Sequence, residues 1–469
     1  MPRQDITQAP GPAAPLLPVR DSPSASAPSP TPALVASLLG FALITLDVSV
    51  VNVALPSMAS ALGGGMSGMQ WVVDAYTIAF AALLLSTGAF SDRIGATRAY
   101  AVGIALFTAA SMACGLAPNL PALIGFRVVQ GIAAAVVLPT TLALVRQAYT
   151  DPADRARAVS LWAAGGTTAV ALGPVAGGAL TTVWDWRAVF FINLPLGLVA
   201  LALTFRVPRS ARRPAPLDLP GQLTAVLALS ALAFAVIEDG PVALVALGVA
   251  VVGLAAFVRI EARHAHPVVP MKLFRNRTVA VAVASGSAIS VAFYGLLFVF
   301  GLYFQQVRDQ SALAAGLMFL PMTGLLVVVN VLSGRLANRY GPRLPMLIGQ
   351  LVSVGGLLLL LLIDAETPLW LASVLLAPLA LGSGLALPPL TAAMMEAVPT
   401  ERAGIAAGVL NAARQVSGGL GVAAFGALIA DGFEAGLRTT LVICLVLLTL
   451  TTLATTRLAR GAAAGPDRP

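Results

Sequence analysis

Asp47 lies inside a long apolar run, Ala33 to Pro56, in the string Leu46-Asp47-Val48-Ser49-Val50-Val51-Asn52-Val53-Ala54-Leu55-Pro56. An ionised acid at bilayer depth costs about 2.5–3.5 kcal/mol, so a membrane protein that keeps one generally uses it to hold a proton, an ion or a charged ligand. A second deep charge, Arg127, stands three residues before Gln130 in another apolar run, and that spacing puts both on one helix face. Gly131 beside them lets a neighbouring helix come close. Asp47 is nine residues from Pro56, roughly 13 Å along a helix, and Arg127 is about 10 Å from the same end of its own run, so the two occupy similar depths. A carboxylate takes up its proton more readily when buried and releases it more readily beside an arginine, so this pairing can bind and release protons. The alternative is a structural Asp bonded to a neighbouring helix and an arginine satisfying backbone carbonyls. Asp74, about one turn inside a third run, is a shallower candidate for proton coupling or a helix N-terminal charge. Asn411, Arg414, Gln415 and Gly418 follow i, i+3, i+4, i+7, a single polar stripe. It lines either a central cavity, with Asn52 and Gln130, or a hydrogen-bonded seam between helices.

The elements that hold these groups are membrane spans. Of the 469 residues, 58% are hydrophobic and 10% charged, and the mean hydropathy is +0.89; soluble domains carry about 25% charge. Apolar stretches long enough to cross a bilayer are expected at 33–56, 70–89, 98–118, 120–145, 158–181, 187–205, 219–238, 241–259, 279–304, 312–333, 344–363, 367–395, 404–430 and 437–456, fourteen in all. With alternating sides, the 28 basic residues divide into 23 on one side, three (Arg187, Arg308, Arg438) on the other and two (Arg127, Arg414) within spans. Cytoplasmic loops are the Arg- and Lys-rich ones, so both termini are expected in the cytoplasm. The formal charge of +8 is spread over every such loop, which argues against a nucleic-acid partner. Trp71, Trp162, Trp186 and Trp370 begin spans, with Trp184 adjoining, as in an interfacial aromatic belt.

Residues 1–32 hold nine prolines with Ser and Ala and read as a disordered cytoplasmic tail. No signal peptide is evident. Cys114 and Cys444 fall within spans as small packing groups, so neither a disulfide nor a metal framework is expected. His264 and His266 are expected to be solvated in an inner loop. A single lysine among the basic residues and abundant alanine suggest a bacterial genome of high GC content, hence the bacterial cytoplasmic membrane.

Gly88-Ala89-Phe90-Ser91-Asp92-Arg93-Ile94-Gly95 joins spans 2 and 3, and Gly334-Arg335-Leu336-Ala337-Asn338-Arg339-Tyr340-Gly341 joins spans 10 and 11 with the same spacing. The chain therefore divides into a six-helix bundle at 33–206, an inserted helix pair with its loops at 207–277, a second six-helix bundle at 278–457 and a tail at 458–469. Repeats of this kind build transporters whose site lies between the halves. Gly88, Asp92, Arg93, Gly95 and Arg98 are candidates for a conformational latch in which the acid meets a helix N-terminus and the arginines meet carboxylates or lipid phosphates. The alternative is that the arginines only set topology.

These strings resemble the major facilitator superfamily, and within it the fourteen-helix drug:proton antiporters of the methylenomycin A resistance and cephamycin export type. The resemblance rests on Leu46-Asp47 to Pro56, Trp71-Val72-Val73-Asp74-Ala75-Tyr76, Arg127-Val128-Val129-Gln130-Gly131, Gly173-Pro174-Val175-Ala176-Gly177-Gly178 and Leu410-Asn411-Ala412-Ala413-Arg414-Gln415, in that order. It depends further on Gly301-Leu302-Tyr303-Phe304-Gln305 and Leu320-Pro321-Met322-Thr323. Two departures are Ala96-Thr97, where the family carries a basic pair, and Asn338, where it carries an acid. The resemblance implies an all-α integral membrane fold and export of an antibiotic or other amphipathic small molecule in exchange for protons, with resistance as the outcome. It implies that no cofactor or metal is needed, that the chain is a monomer, and that Gly173, Pro174, Gly177 and Gly178 form the antiporter motif of the fifth span, a close-packed and bent seam. Arg127 and Gln130 would take part in proton transfer. Export of an endogenous metabolite, and a non-transporting receptor or scaffold on the same fold, remain alternatives. A membrane enzyme lacks support, because no convergent nucleophile, base or ligand cluster is visible.

Overall fold

The computed structural model describes residues 30–212, 218–264, 267–364, 366–399 and 402–458. His266 and nearly all of both tails, read from the sequence as a solvated histidine and cytoplasmic segments, lie outside the described residues. The described chain is helical throughout. Its helices are α1 (Thr31–Leu62), α2 (Gly65–Ile94), α3 (Ala96–Gly115), α4 (Leu120–Ala148), α5 (Pro152–Val183), α6 (Ala188–Phe191), α7 (Asn193–Thr204), α8 (Leu219–Ile237), α9 (Pro241–Arg263) and α10 (Arg277–Leu302). They continue with α11 (Ala312–Met318), α12 (Leu320–Tyr340), α13 (Arg343–Leu360), α14 (Leu369–Leu375), α15 (Ala377–Glu396), α16 (Ala403–Ala430) and α17 (Phe433–Leu458).

Local chemistry sets the ends. Asn119 accepts from the Ala122 amide at 2.9 Å and Asp151 from the amides of Ala153 and Asp154, so α4 and α5 each start on a polar cap. Gly63 and Gly95 stop α1 and α2 at φ of 78° and 91°, a region that side chains disfavour. The two ends of the molecule are named here for these residues, the Gly63 end and the Gly95 end.

Three expected spans are broken, and each break has a proline as its cause. A proline has no N–H to give to the carbonyl four residues earlier. Pro195, Pro321 and Pro378 thus leave the carbonyls of Phe191, Leu317 and Val374 without a helical partner, and the breaks between α6 and α7, α11 and α12, and α14 and α15 fall there. Among the described residues twelve helices are long and apolar enough to cross a membrane, and α2, bent by 64° between Leu84 and Ser86, makes a thirteenth if it counts as one span. The expected sixth span is the shorter apolar stretch Ala188–Thr204. At the α2 bend the Thr87 hydroxyl donates to Leu84 O at 2.9 Å and to Ala135 O of α4 at 2.6 Å, the side-chain back-bonding that bends helices.

Helix α1 packs on α4, α5 and α7, and α4 also packs on α2 and α3. In the second half α10 packs on α16, and α15 on α12 and α13. The halves meet where α2 lies along α16 and where α5 meets α11 and α12. Helices α8 and α9 form a hairpin whose α8 touches both α2 and α16. Towards the Gly63 end, Val50, Leu55 and Phe190 of the first half share one core with Phe298, Phe319 and Phe425 of the second. Towards the Gly95 end the cores part, one around Leu43, Phe80 and Tyr100 with Ala412 alone joining from α16, the other around Met346, Leu390 and Leu410. The molecule is closed between its halves at the Gly63 end.

Glycines let these helices touch. A Cβ on Gly173 would sit 1.8 Å from Ser49 Oγ, one on Gly177 2.5 Å from Val50 O, and one on Gly178 2.4 Å from Ala312 O. The first two seat α5 on α1, and the third seats it on α11 of the other half. Pro174 adjoins the contact with α11, its carbonyl 2.3 Å from where a Gly316 Cβ would lie.

Candidate functional site

Asp47 and Arg127 meet. Arg127 Nη1 donates to Asp47 Oδ2 at 2.5 Å, and the two side chains are 1% and 0% exposed for Arg127 and Asp47 respectively. Gln130 Nε2 donates to Asp47 Oδ1 at 2.8 Å, while Arg127 Nη1 also donates to Gln130 Oε1 at 2.9 Å, closing a three-residue ring of hydrogen bonds. Charge-assisted bonds of this type are about twice as strong as neutral ones. Removing two charges from water is costly, and only such a full set of partners makes it tolerable.

The remaining bonds tie the pair to other helices. Arg127 Nε donates to Val72 O at 2.9 Å, and its guanidinium lies 4.2 Å from the centre of the Tyr76 ring. That approach needs Gly131, where a Cβ would come within 2.3 Å of Tyr76 O. Asn193 Nδ2 donates to Asp47 Oδ1 and to Ser111 Oγ, each at 3.0 Å. Cys114 Sγ donates to Gln130 Oε1 at 3.7 Å. One carboxylate therefore joins α1, α4 and α7, and its guanidinium partner extends the set to α2.

Sequence reasoning missed Asn193, Ser111 and Tyr76 and took Cys114 for packing alone. Asn193 carried the same signal as Asp47, a polar group inside the apolar string Val189-Phe190-Phe191-Ile192-Asn193-Leu194. Ser111 carried none, since hydroxyls are common in spans, and Tyr76 stood only as the last residue of the Trp71–Tyr76 string.

Asp74 is not part of this cluster. It is 1% exposed, neither carboxylate oxygen has a hydrogen-bond partner among the described residues, and a Gly419 Cβ would lie 3.1 Å from Oδ1. Beside it Thr77, Leu229 and Val416 enclose a void of about 10 Å³ at the junction of α2, α8 and α16, room for about one water. Asn52 Nδ2 donates to Val48 O of its own helix at 2.7 Å, and its Oδ1 is buried without a partner among the described residues.

On α16, Arg414 turns to α10, donating to Ser290 Oγ at 3.3 Å, with no ion pair among the described residues. Gly418 packs on Tyr294 of the same helix, 2.8 Å from where its Cβ would be. Asn411 is exposed and Gln415 half-buried. The stripe thus has its Arg414–Gly418 edge on a helix seam and its Asn411 edge open.

The latch residues stand apart from one another: Asp92, Arg93 and Arg98 are exposed and form no ion pair among the described residues. Gly95 is constrained both by its φ of 91° and by Ser210 O, 2.8 Å from a Cβ position, whereas Gly88 has open space. Thr97, at a departure from the family pattern, donates to Pro208 O at 2.8 Å and so fastens the α2–α3 turn to the segment after α7. His264 is not simply solvated: its Nδ1 lies 3.6 Å from Asp218 Oδ2, and its side chain is 32% exposed.

Residues 37–422 match the sequence profile of the Major Facilitator Superfamily. The chain belongs to that superfamily. Among its superfamily relatives, the multidrug resistance protein Stp of Mycobacterium tuberculosis (strain H37Rv) is 37% identical over 416 residues, covering 86% of this chain and 77% of that protein. The methylenomycin A resistance protein of Bacillus subtilis (strain 168) is 37% identical over 404 residues, covering 84% and 87%. Solved superfamily folds agree at low identity. A bacterial homolog of the human lysosomal transporter Spinster, inward-facing and unoccupied, superposes with a TM-score of 0.67 at 17% identity over 95% of this chain and 100% of that one. A D-xylose-proton symporter gives 0.66 at 14% identity over 91% and 97%.

Proposed function

We propose that this superfamily member is a proton-coupled antiporter that exports an antibiotic or similar amphipathic molecule by alternating access. The observation that carries the reading is the desolvated Asp47–Arg127 pair, at most 1% exposed and held at 2.5 Å. A proton arriving on Asp47 removes one of the two charges. Arg127 then loses its counter-ion but keeps Val72 O and the Tyr76 face on α2, and α2 is the helix that lies along α16 of the other half. Proton load on α1 is thereby converted into a changed tether on the helix that joins the halves. The fully bonded pair together with closure at the Gly63 end fits a state that has released its proton. A two-state element biased by one charge is what exchange of proton for substrate requires.

The substrate class is supported by the resistance and efflux relatives. Fourteen spans, counting α2 and Ala188–Thr204, put both termini on one side, and the arginine distribution makes that side the cytoplasm, with the bacterial cytoplasmic membrane as the site of action. The chain works as a monomeric transporter of two six-helix bundles and an inserted pair, without catalysis or cofactor, and Asp74 is a second proton-holding candidate. Energised vesicles provide the test: adding drug should release protons from the lumen with the wild-type protein and not with Asp47→Asn. Binding without proton flux in the wild type would overturn the reading in favour of a receptor.

A further inference from the structure

Helix α8 is pinned to α2 at both ends. At the Gly63 end Glu238 Oε1 accepts from Trp71 Nε1 at 2.7 Å and from Ser67 Oγ at 2.8 Å. At the other end Gln222 Nε2 donates to Ala82 O at 2.5 Å, and its Oε1 accepts from Ser86 Oγ. Against α16 it packs through apolar contacts, such as Ala233 on Ala423. Between this pinned hairpin and α16, towards the Gly95 end, lies a cavity of about 340 Å³, within the size range of small-molecule sites.

Its lining includes Ala225 and Leu229 of α8, Phe257 of α9, Phe274 and Val416. The one amide on the wall, Gln222, is already committed to α2. Leu254 and Phe274 of the lining are 55% and 37% exposed, so the mouth is on the lateral surface of the protein. Around that mouth the exposed charges are mainly cationic. Lys272 and Arg275 share the 3-10 turn Met271–Arg275 with Phe274, Arg259 and Arg263 close α9, and Arg277 opens α10; all are exposed and none is in an ion pair among the described residues. Two acids nearby are buried: Asp218 Oδ1 accepts from Gly221 N at 2.8 Å and Glu261 Oε2 from Val269 N at 2.9 Å, with His264 beside Asp218, while the exposed Glu396 adjoins Ala397, whose carbonyl accepts from Asn276 at 2.8 Å.

We infer that this cavity is a seat for an anionic phospholipid, one acyl tail between α8 and α16 and the phosphate at Lys272 and Arg275. Walls that are hydrocarbon apart from the Ser417 hydroxyl and the committed Gln222 amide admit a tail and reject a charged solute. The cationic rim selects an anionic headgroup, and such basic sites on the cytoplasmic side of membrane proteins hold anionic lipids. The leaflet assignment rests on the proposed orientation, but binding itself does not depend on export. A lipid seated there wedges the hairpin, which moves with α2, against α16 across the seam between the halves.

The test is native mass spectrometry of the purified full chain with phosphatidylglycerol, phosphatidylcholine or tail-free glycerol phosphate. Wild type should retain phosphatidylglycerol at least about tenfold more than phosphatidylcholine and take no glycerol phosphate. Lys272→Gln with Arg275→Gln, both exposed, should erase the preference, and Ala225→Phe should exclude either lipid. Equal retention of the two lipids, an unchanged preference in the charge variant, or capture of glycerol phosphate overturns the proposal. Should Ala225→Phe fail to fold, the charge variant and the lipid comparison decide alone.

Discussion

Arg127 of α4 and Asp47 of α1, 80 residues apart in the chain, are joined at 2.5 Å in the desolvated centre of the first half. Breaking a buried pair from one side leaves the other charge uncompensated, at a cost of about 3–5 kcal/mol, whereas replacing both can be nearly neutral. We predict that Arg127→Leu lowers thermal stability in detergent more than Asp47→Asn with Arg127→Leu, and that both proteins lose export. A double variant no more stable than the single one would show that the pair does not act as a unit.

Asn193 gives its amide both to Asp47 and to Ser111. Asn193→Leu leaves a buried hydroxyl and one carboxylate oxygen short of a donor, a loss of about 1–3 kcal/mol. Drug-driven proton release should fall in Asn193→Leu vesicles while drug binding persists. Full proton flux in this variant would remove Asn193 from the site.

The glycines should separate by geometry. Gly177→Leu forces atoms into α1, where even a Cβ lies 2.5 Å from Val50 O, and Gly95→Ala meets both a φ of 91° and Ser210 O at 2.8 Å. Both should reduce the monodisperse fraction on size-exclusion chromatography. Gly88→Ala has nothing within 4 Å and should gain about 0.5–1 kcal/mol from the residue's better helix propensity. Equal loss in all three would argue that Gly88 is needed for a contact made in another state.

The hairpin of α8 and α9 should loosen when its polar pins are removed. With Gln222→Ala and Glu238→Ala together, amide exchange across 219–263 is predicted to accelerate while that of 31–62 stays unchanged, since each lost hydrogen bond is worth about 1 kcal/mol. Unchanged protection in 219–263 would mean that apolar packing alone retains the hairpin.

Much of this protein is legible in its sequence because the bilayer imposes so few solutions. Long apolar runs must be helices there, since backbone groups have no water to bond. Deep charges such as Asp47 and Arg127 stand out because each carries a cost that needs a reason. The same logic has less grip where polarity is cheap: a serine or tyrosine in a span signals little, so neither Ser111 nor the role of Tyr76 beside Arg127 is legible there. The broken helices were legible in principle through Pro195, Pro321 and Pro378, yet hydropathy averages over a proline and reports one span.

By itself, then, the sequence determined the all-helical membrane fold and the identity of the costly charges, because those follow from local composition and the solvent. Only the tertiary structure decided who meets whom. That Arg127 reaches Asp47 and not Asp74, that Asn193 completes the carboxylate's shell, and that α8 is pinned to α2 depend on how helices distant in the chain rotate and cross. Side-chain direction around a packed helix is set by its neighbours, and those neighbours are fixed only when the bundle closes.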